Sequence, residues 1–128
     1  MKLRVRNNSI RLRLTQSEVT RFKETGFVEE VIEFGLTPDK NLVYRLIAGE
    51  AGEAVTARFE NGKVTVTVPK LQARHWTDSN QVTIENEQII GDTKTLKILI
   101  EKDFACLDRR YGEDDSDAFP HPEQRKAC

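Results

Sequence analysis

The sequence predicts an α+β domain dominated by antiparallel β-structure, with about eight strands in a curved sheet or closed barrel and two short helices. Apolar and polar residues alternate with a period of two along much of the chain, which is typical of half-buried strands. A strand-strand-helix-strand-strand pattern (ββαββ) also occurs twice, because Ile10–Leu14 recurs as Val64–Val68, 54 positions later. The repetition predicts an internal pseudo-twofold duplication. Because neither half alone can bury both its hairpin and its helix, we expect the strands of both halves to share one curved or closed antiparallel sheet.

The first half begins with a predicted hairpin and continues through a capped helix. Met1–Arg6 and Ser9–Leu14 both alternate, and the two asparagines between them tolerate the positive φ of a tight turn. Thr15 and Glu18 have the spacing of a capping box, and Gly26 is suited to end the helix in the left-handed conformation. The sequence therefore predicts a helix between Thr15 and Gly26.

Two more strands are predicted to complete this half, Phe27–Phe34 and Asn41–Ala48, with a turn at Thr37–Asp39. Apolar residues lie on both sides of the second of these strands, which indicates burial on two faces. The short Gly-rich segment Gly49–Glu53 is interpreted as a turn between the halves.

The second half repeats the plan. Its predicted hairpin has the Asn-Gly turn, the strongest short hairpin signal, and Pro69 is predicted to open its helix. At a constant offset of 54, Val82 corresponds to Val28 and Trp76 to Phe22. The predicted strands are Val55–Glu60, Lys63–Val68, Gln81–Asn86 and Leu96–Glu101. We therefore expect one duplicated domain over residues 1–103, with halves 1–53 and 54–103, and an acidic C-terminal tail, 104–128, partly docked on the core.

Composition restricts the function classes. The 128 residues amount to one domain, and a net charge of −1 gives no overall basic footprint of the kind that nucleic-acid binders show. No apolar run is long enough to cross a bilayer, and no apolar segment follows the N-terminal cations as in a secretory signal. Two cysteines do not make a disulfide framework. We expect a cytoplasmic protein.

The first candidate site is the basic face, which we define as the five cations of the first hairpin. No acidic residue occurs among residues 1–17. Adjacent strands lie about 4.8 Å apart, so these side chains form a compact cluster able to hold an anion by paired arginine contacts. The alternative is a solvated face that protects a sheet edge. The basic face consists of Lys2, Arg4, Arg6, Arg11 and Arg13.

The remaining candidates give weaker signals. The acidic run Glu113–Asp117 lacks the glycine and terminal glutamate of a calcium loop. It is either a solvated loop or a segment that lies against the basic face, where each would relieve the charge repulsion of the other. Cys106 has no partner at the short spacing that metal sites use, so it is interpreted as a small buried hydrophobe. Trp76 is expected to pack in the core and His75 to be exposed. No catalytic residue, metal or cofactor is predicted.

Three resemblances accompany these patterns. NSIRLRLTQSEV at Asn8–Val19, EKDFACLDRR at Glu101–Arg110 and the following DAFPHP resemble a small family of bacterial proteins of unknown function, which implies no activity. NNSIRLRLTQSEV and NGKVTVTVPKLQA are similar to the swapped-hairpin regulators of the AbrB type, which would imply a DNA-binding barrel. However, Thr15 replaces the usual proline in the first copy, and the second copy lacks the basic residues.

The third resemblance concerns the fold only. Triphosphate-tunnel enzymes also build an eight-stranded barrel from two halves, but their ExExK string is absent from Lys2–Arg6. The sequence thus favours a non-enzymatic binding or interaction module whose partner is an anionic small molecule or a protein. AbrB-like DNA binding is the alternative, and a barrel enzyme acting on phosphate esters or polyphosphate is a further one. A membrane partner is not expected.

Overall fold

The computed structural model describes residues 1–50, 52 and 54–104. They form eight strands, two α-helices and one 3-10 helix at Pro38–Lys40. The strands are β1 (Lys2–Arg6), β2 (Ser9–Leu14), β3 (Phe27–Glu33), β4 (Asn41–Gly49), β5 (Thr56–Glu60), β6 (Lys63–Pro69), β7 (Thr83–Ile89) and β8 (Thr95–Lys102). The helices are α1 (Gln16–Thr25) and α2 (Lys70–Asp78). No helix in this part of the chain has the length and apolar composition needed to cross a bilayer.

The strands form two four-stranded sheets. Sheet A has the order β1-β2-β8-β7, and sheet B has the order β3-β4-β6-β5. The central pairs β2/β8 and β4/β6 are parallel, and all other pairs are antiparallel. The α+β, β-dominated class is confirmed, but the prediction of one antiparallel sheet or a closed barrel is wrong. Each hairpin pairs with a strand that arrives in the same direction from the other half, which makes both sheets mixed and leaves both open.

The two sheets use matching registers. In the hairpins, Lys2 pairs with Arg13 and Thr56 with Thr67, so both partners are displaced by 54 positions. In the parallel pairs, Ile10 lies opposite Ile98, and the same displacement leads to Val64 opposite Tyr44. The interior positions of one sheet therefore have structural counterparts in the other.

One apolar core lies between the two sheets and the helices. Leu12, Val66 and Ile100 are fully buried within it, although they come from distant parts of the chain. Phe22 of α1 and Trp76 of α2 meet edge to face, with ring centroids 6.2 Å apart. Trp76 also donates a hydrogen bond from Nε1 to the carbonyl of Val82, at 3.0 Å. The core is thus shared by both sheets and both helices.

The constant offset fails at β7. Val28 pairs with Leu46, and the corresponding pair in sheet A is Ile84 with Ile100. Val28 and Ile84 are both 1% exposed, whereas Val82 is 41% exposed. The predicted equivalence of Val28 and Val82 is therefore wrong by two residues. The extra residues lie between α2 and β7. Val82 is one of them: it lies outside the strand, and its carbonyl accepts the hydrogen bond from the Trp76 indole.

The helix ends differ between the halves. At α1, the Thr15 hydroxyl accepts from the amide of Glu18, the Glu18 carboxylate accepts from the amide of Thr15, and Gly26 adopts a left-handed φ of 81°. These predictions are confirmed. Before α2, Pro69 occupies the N-cap and supplies no side-chain hydrogen bond. The predicted proline start thus falls one residue before the helix, and α1 is the better capped of the two.

Polar contacts join the edge strands of the two sheets on both sides of the molecule. Between β7 and β5, the Gln88 side chain accepts from the amide of Ala57 at 2.7 Å and donates to its carbonyl at 3.0 Å. Asn86 donates to the carbonyl of Val55 at 2.8 Å. This amide seam, Asn86 and Gln88, satisfies backbone groups of an edge strand that would otherwise lack partners.

The other side has a charged seam, which we define as the Met1 α-amino group with Glu18 and Glu30. The α-amino group forms ion pairs with both carboxylates, and the Tyr44 hydroxyl donates to the Met1 carbonyl at 2.8 Å. Burial works to lower the pKa of the α-amino group, but hydrogen bonds and charge from the two glutamates outweigh it and raise that pKa above 8.0. Burial works to raise the pKa of Glu18, yet the α-amino group and Thr15 lower it below 4.5.

Candidate functional site

The hairpin β1–β2 places the basic face on the outer surface of sheet A, away from the core. Lys2 lies opposite Arg13, Arg4 opposite Arg11, and Arg6 opposite Ser9, so the cations share one side of the ribbon. Asn7 has a φ of 51°, as the tight turn between the strands requires. The alternation of the sequence thus brings together all five predicted side chains, because directly opposed residues of an antiparallel pair point to the same face.

Acids at the end of β8 neutralise three of these cations. The Glu101 carboxylate lies 3.3 Å from Nε of Arg11 and 3.2 Å from Nε of Arg13. Lys2 Nζ lies 3.0 Å from Oδ2 of Asp103. The Glu101 pairs are only partly exposed, so solvent screens them less than it screens pairs on an open surface. This end of the basic face is therefore occupied by the protein's own carboxylates.

The other end of the basic face is open. Arg4 and Arg6 are exposed, and no carboxylate of the described residues forms an ion pair with either guanidinium. Lys97 of β8 lies opposite Ser9 on the same face and is also exposed. We call these three exposed cations the open cluster. It consists of Arg4, Arg6 and Lys97.

Lys97 was missed by the sequence analysis. The alternation of β8 indicates that Lys97 points away from Leu96 and Ile98, but it does not indicate which strand lies beside it. Parallel neighbours need a long connection, and no local turn signal marks their pairing. The position of Lys97 beside Ser9 therefore emerges only from the sheet order.

The outer surface of sheet A changes sign from one edge to the other. Glu85 and Glu87 lie on β7, opposite Leu99 and Lys97 of β8, on the same face as the open cluster. Cations thus predominate on β1 and β2, and carboxylates on β7 and at the end of β8. Like charges directly opposite each other, such as Arg4 and Arg11, destabilise a strand pair, and an anion at that edge would reduce their repulsion.

Several predictions concern residues outside the described part of the chain. They are the predictions for Cys106, for the acidic run Glu113–Asp117 and for the docking of the tail on the core. Within the described ranges, no three metal-ligating side chains come together. His75 is exposed on α2 and Trp76 is buried, as expected. The tunnel of the phosphate-processing analogy is not found in these ranges, since apolar side chains fill the space between the sheets.

Comparison with known proteins gives one match. A family model described as "Family of unknown function (DUF7009)" matches residues 1–123, nearly the whole chain. No curated protein and no solved structure matches the sequence. The predicted resemblance to a family of unknown function is confirmed, while the resemblance to AbrB-type regulators stays an expectation. The residues themselves must therefore carry any argument about function.

Proposed function

The chain belongs to this family of unknown function, DUF7009, and we propose that it is a non-enzymatic module that binds an anionic ligand at the open cluster. The observation that carries this proposal is the contrast within one hairpin. Lys2, Arg11 and Arg13 have carboxylate partners, while Arg4 and Arg6 are exposed without one among the described residues. Two exposed guanidinium groups on one face of a strand can donate paired hydrogen bonds to an oxyanion.

The competing interpretation is edge protection, because β1 is an edge strand of sheet A and charged side chains discourage pairing with other chains. The two interpretations differ in which strands must carry the charged side chains. Edge protection is served by any charge on β1. Anion binding requires cations on β1 and β8 together, which is the arrangement of Arg6 and Lys97 on either side of Ser9 in β2.

A paired comparison of variants tests the proposal. Arg4→Gln/Arg6→Gln removes two charges from the open cluster, and the control Arg21→Gln/Arg74→Gln removes two exposed charges from the helices. With heparin as the probe, the first variant should bind about tenfold more weakly, since lost charge-assisted hydrogen bonds amount to about 1.5–3 kcal/mol. The control should stay within about twofold of the natural chain. Equal loss in both variants would show that only net charge matters and would contradict the site.

Duplex DNA is the second candidate ligand, favoured by the shape of the hairpin. β1 and β2 form a two-stranded ribbon with its basic face outward, and such a ribbon fits a major groove. DNA binding predicts a steep fall of affinity with salt, since each phosphate contact releases counterions. Binding of heparin but not of a duplex in a low-salt gel would favour a smaller anion.

We also propose that the domain, residues 1–103, is a duplication of one ββαββ unit. Support comes from the equal displacement of the paired registers, from the shared connectivity of the two sheets and from the contact of Phe22 with Trp76. The unit exchanges its hairpin with the other copy, so each sheet contains strands of both halves. A separately expressed half, 1–53 or 54–103, should therefore not fold alone, and a native-like far-UV spectrum of either half would contradict this.

A further inference from the structure

The outer surface of sheet B has a hollow of about 240 Å³ at the position that corresponds to the open cluster. Three cations and one carboxylate line it, which gives the hollow two excess positive charges. The lining residues are Arg45, Arg58, Glu60, Asn61, Lys63 and Thr65. The volume is below that of most organic ligand sites, about 300–1,000 Å³, and suits a small group.

Thr65 lies at the floor of this hollow. It is 5% exposed and is the one buried polar residue among those that the structure describes. Its neighbours across the sheet are Arg45 on one side and Arg58 on the other. Arg45 Nε donates to Thr65 Oγ1 at 3.0 Å, which leaves the hydroxyl proton without an acceptor in the described part of the chain. A buried donor without a partner is unfavourable, so an acceptor in the hollow would be favoured.

The surrounding cations are held in different ways. The Arg45 guanidinium is fixed between Thr65 and Glu29, whose Oε2 lies 3.7 Å from Nη1. Arg58 and Glu60 are both exposed and 3.9 Å apart, so their ion pair contributes little. Lys63 follows the Asn61-Gly62 turn, whose Gly62 carbonyl accepts from the amide of Val43 at 2.9 Å. The hollow therefore offers one oriented guanidinium and two adaptable cations.

We infer that this hollow is a second anion site, specific for a phosphate-type oxyanion held by Arg45, Arg58, Lys63 and the Thr65 hydroxyl. The oxyanion accepts the hydroxyl proton that lacks a partner and bridges the three cations. The inference does not depend on the open cluster, because it concerns the outer face of the other sheet. The two faces point away from the shared core, so the sites are separate.

The test uses the full chain labelled with nitrogen-15 and titrated with inorganic phosphate at constant ionic strength. Thr65→Val removes the hydroxyl and keeps the shape of the side chain. Thr67→Val makes the same change two residues along β6, outside the hollow. We expect phosphate to shift the amides of Arg58, Lys63 and Thr65, Thr65→Val to weaken binding about tenfold, and Thr67→Val to change it less than about twofold.

A second variant and a second probe complete the experiment. Arg58→Gln should weaken binding, whereas Arg4→Gln/Arg6→Gln should leave this site unchanged, which separates it from the open cluster. Phenyl phosphate distinguishes the source, since tighter binding than inorganic phosphate indicates an ester and equal binding indicates the free anion. Equal affinities of Thr65→Val and Thr67→Val, or no shift at these amides, would overturn the inference.

Discussion

The outer faces of the two sheets have the same strand pairing but different side chains. Sheet A carries Arg11 where sheet B carries Thr65, and Glu101 where sheet B carries Ile47. As a result, cations and carboxylates neutralise each other along one end of sheet A, while Arg4 and Arg6 at the other end are exposed and have no carboxylate partner among the described residues. On sheet B, a small hydroxyl residue between two arginines leaves a hollow. A few outward side chains therefore determine the charge and shape of each outer face, while the inward side chains of both sheets build one common core.

The largest expected effect concerns that common core. Trp76→Ala should cost about 4 kcal/mol in the free energy of unfolding, because it removes a fully buried side chain and its contact with Phe22. Both sheets contribute to the same core, so urea unfolding followed by circular dichroism and by amide exchange should give one transition. Separate transitions for residues of sheet A and of sheet B would show that the sheets are independent.

The next effect compares the two seams. Glu18→Gln removes a carboxylate from the charged seam and half of the capping box, and we expect a loss of about 2 kcal/mol. Gln88→Ala removes two hydrogen bonds from the amide seam, for about 1–2 kcal/mol. Urea titrations of both variants measure these values. If Glu18→Gln lowers the unfolding free energy no more than Thr15→Ala does, the effect of Glu18 comes from the capping box alone and its ion pair with the α-amino group contributes nothing.

The seams should also respond differently to pH. The α-amino pKa is raised in the folded state, so the stability it contributes is complete below pH 8.0 and is lost as the pH rises through the folded value. The Glu18 pKa is lowered, so its contribution is present above pH 4.5 and is lost as the pH falls through the folded value. The unfolding free energy should therefore be highest between pH 4.5 and pH 8.0 and should decline below and above this range. Glu18→Gln should flatten both declines, and Gln88→Ala should keep them.

A smaller effect concerns the tail. Residues 111–128 contain five acidic and two basic side chains, the opposite balance to the basic face. Removing them should raise the affinity for heparin a few-fold, since a linked acidic segment competes with the probe for the same cations. Salt elution from a heparin column measures the change. A full-length chain in which the four acidic residues of Glu113–Asp117 are changed to the corresponding amides serves as the control, because it loses the charge and keeps the length. Unchanged elution of both would exclude competition by the tail.

Much of the fold was predictable wherever the signals are local. The capping box at Thr15, the glycine end of α1 and both hairpins follow from residues within a few positions of each other. The parallel contacts do not, because β2 and β8 are joined through most of the chain, and alternation fixes the face of a strand but not its neighbour. The single sheet was therefore predicted wrongly for the same reason that Lys97 was missed.

The candidate sites show the same limit. The five cations of the basic face share one hairpin, so their grouping was visible in the sequence, but the carboxylates that neutralise three of them come from β8 and just beyond. The hollow on sheet B was not visible at all. Its residues Arg45 and Thr65 belong to different halves, and a threonine in a strand carries no signal of an anion site until its neighbours are known.

The most direct test of two distinct anion sites is a phosphate titration of the labelled full chain, followed at every backbone amide. We expect two separate groups of shifting amides, one around Arg4, Arg6 and Lys97 and one around Arg58, Lys63 and Thr65. Arg4→Gln/Arg6→Gln should abolish the first group alone, and Thr65→Val should weaken the second alone. Shifts of similar size at every exposed cation, Lys40 included, would contradict the existence of two distinct anion sites.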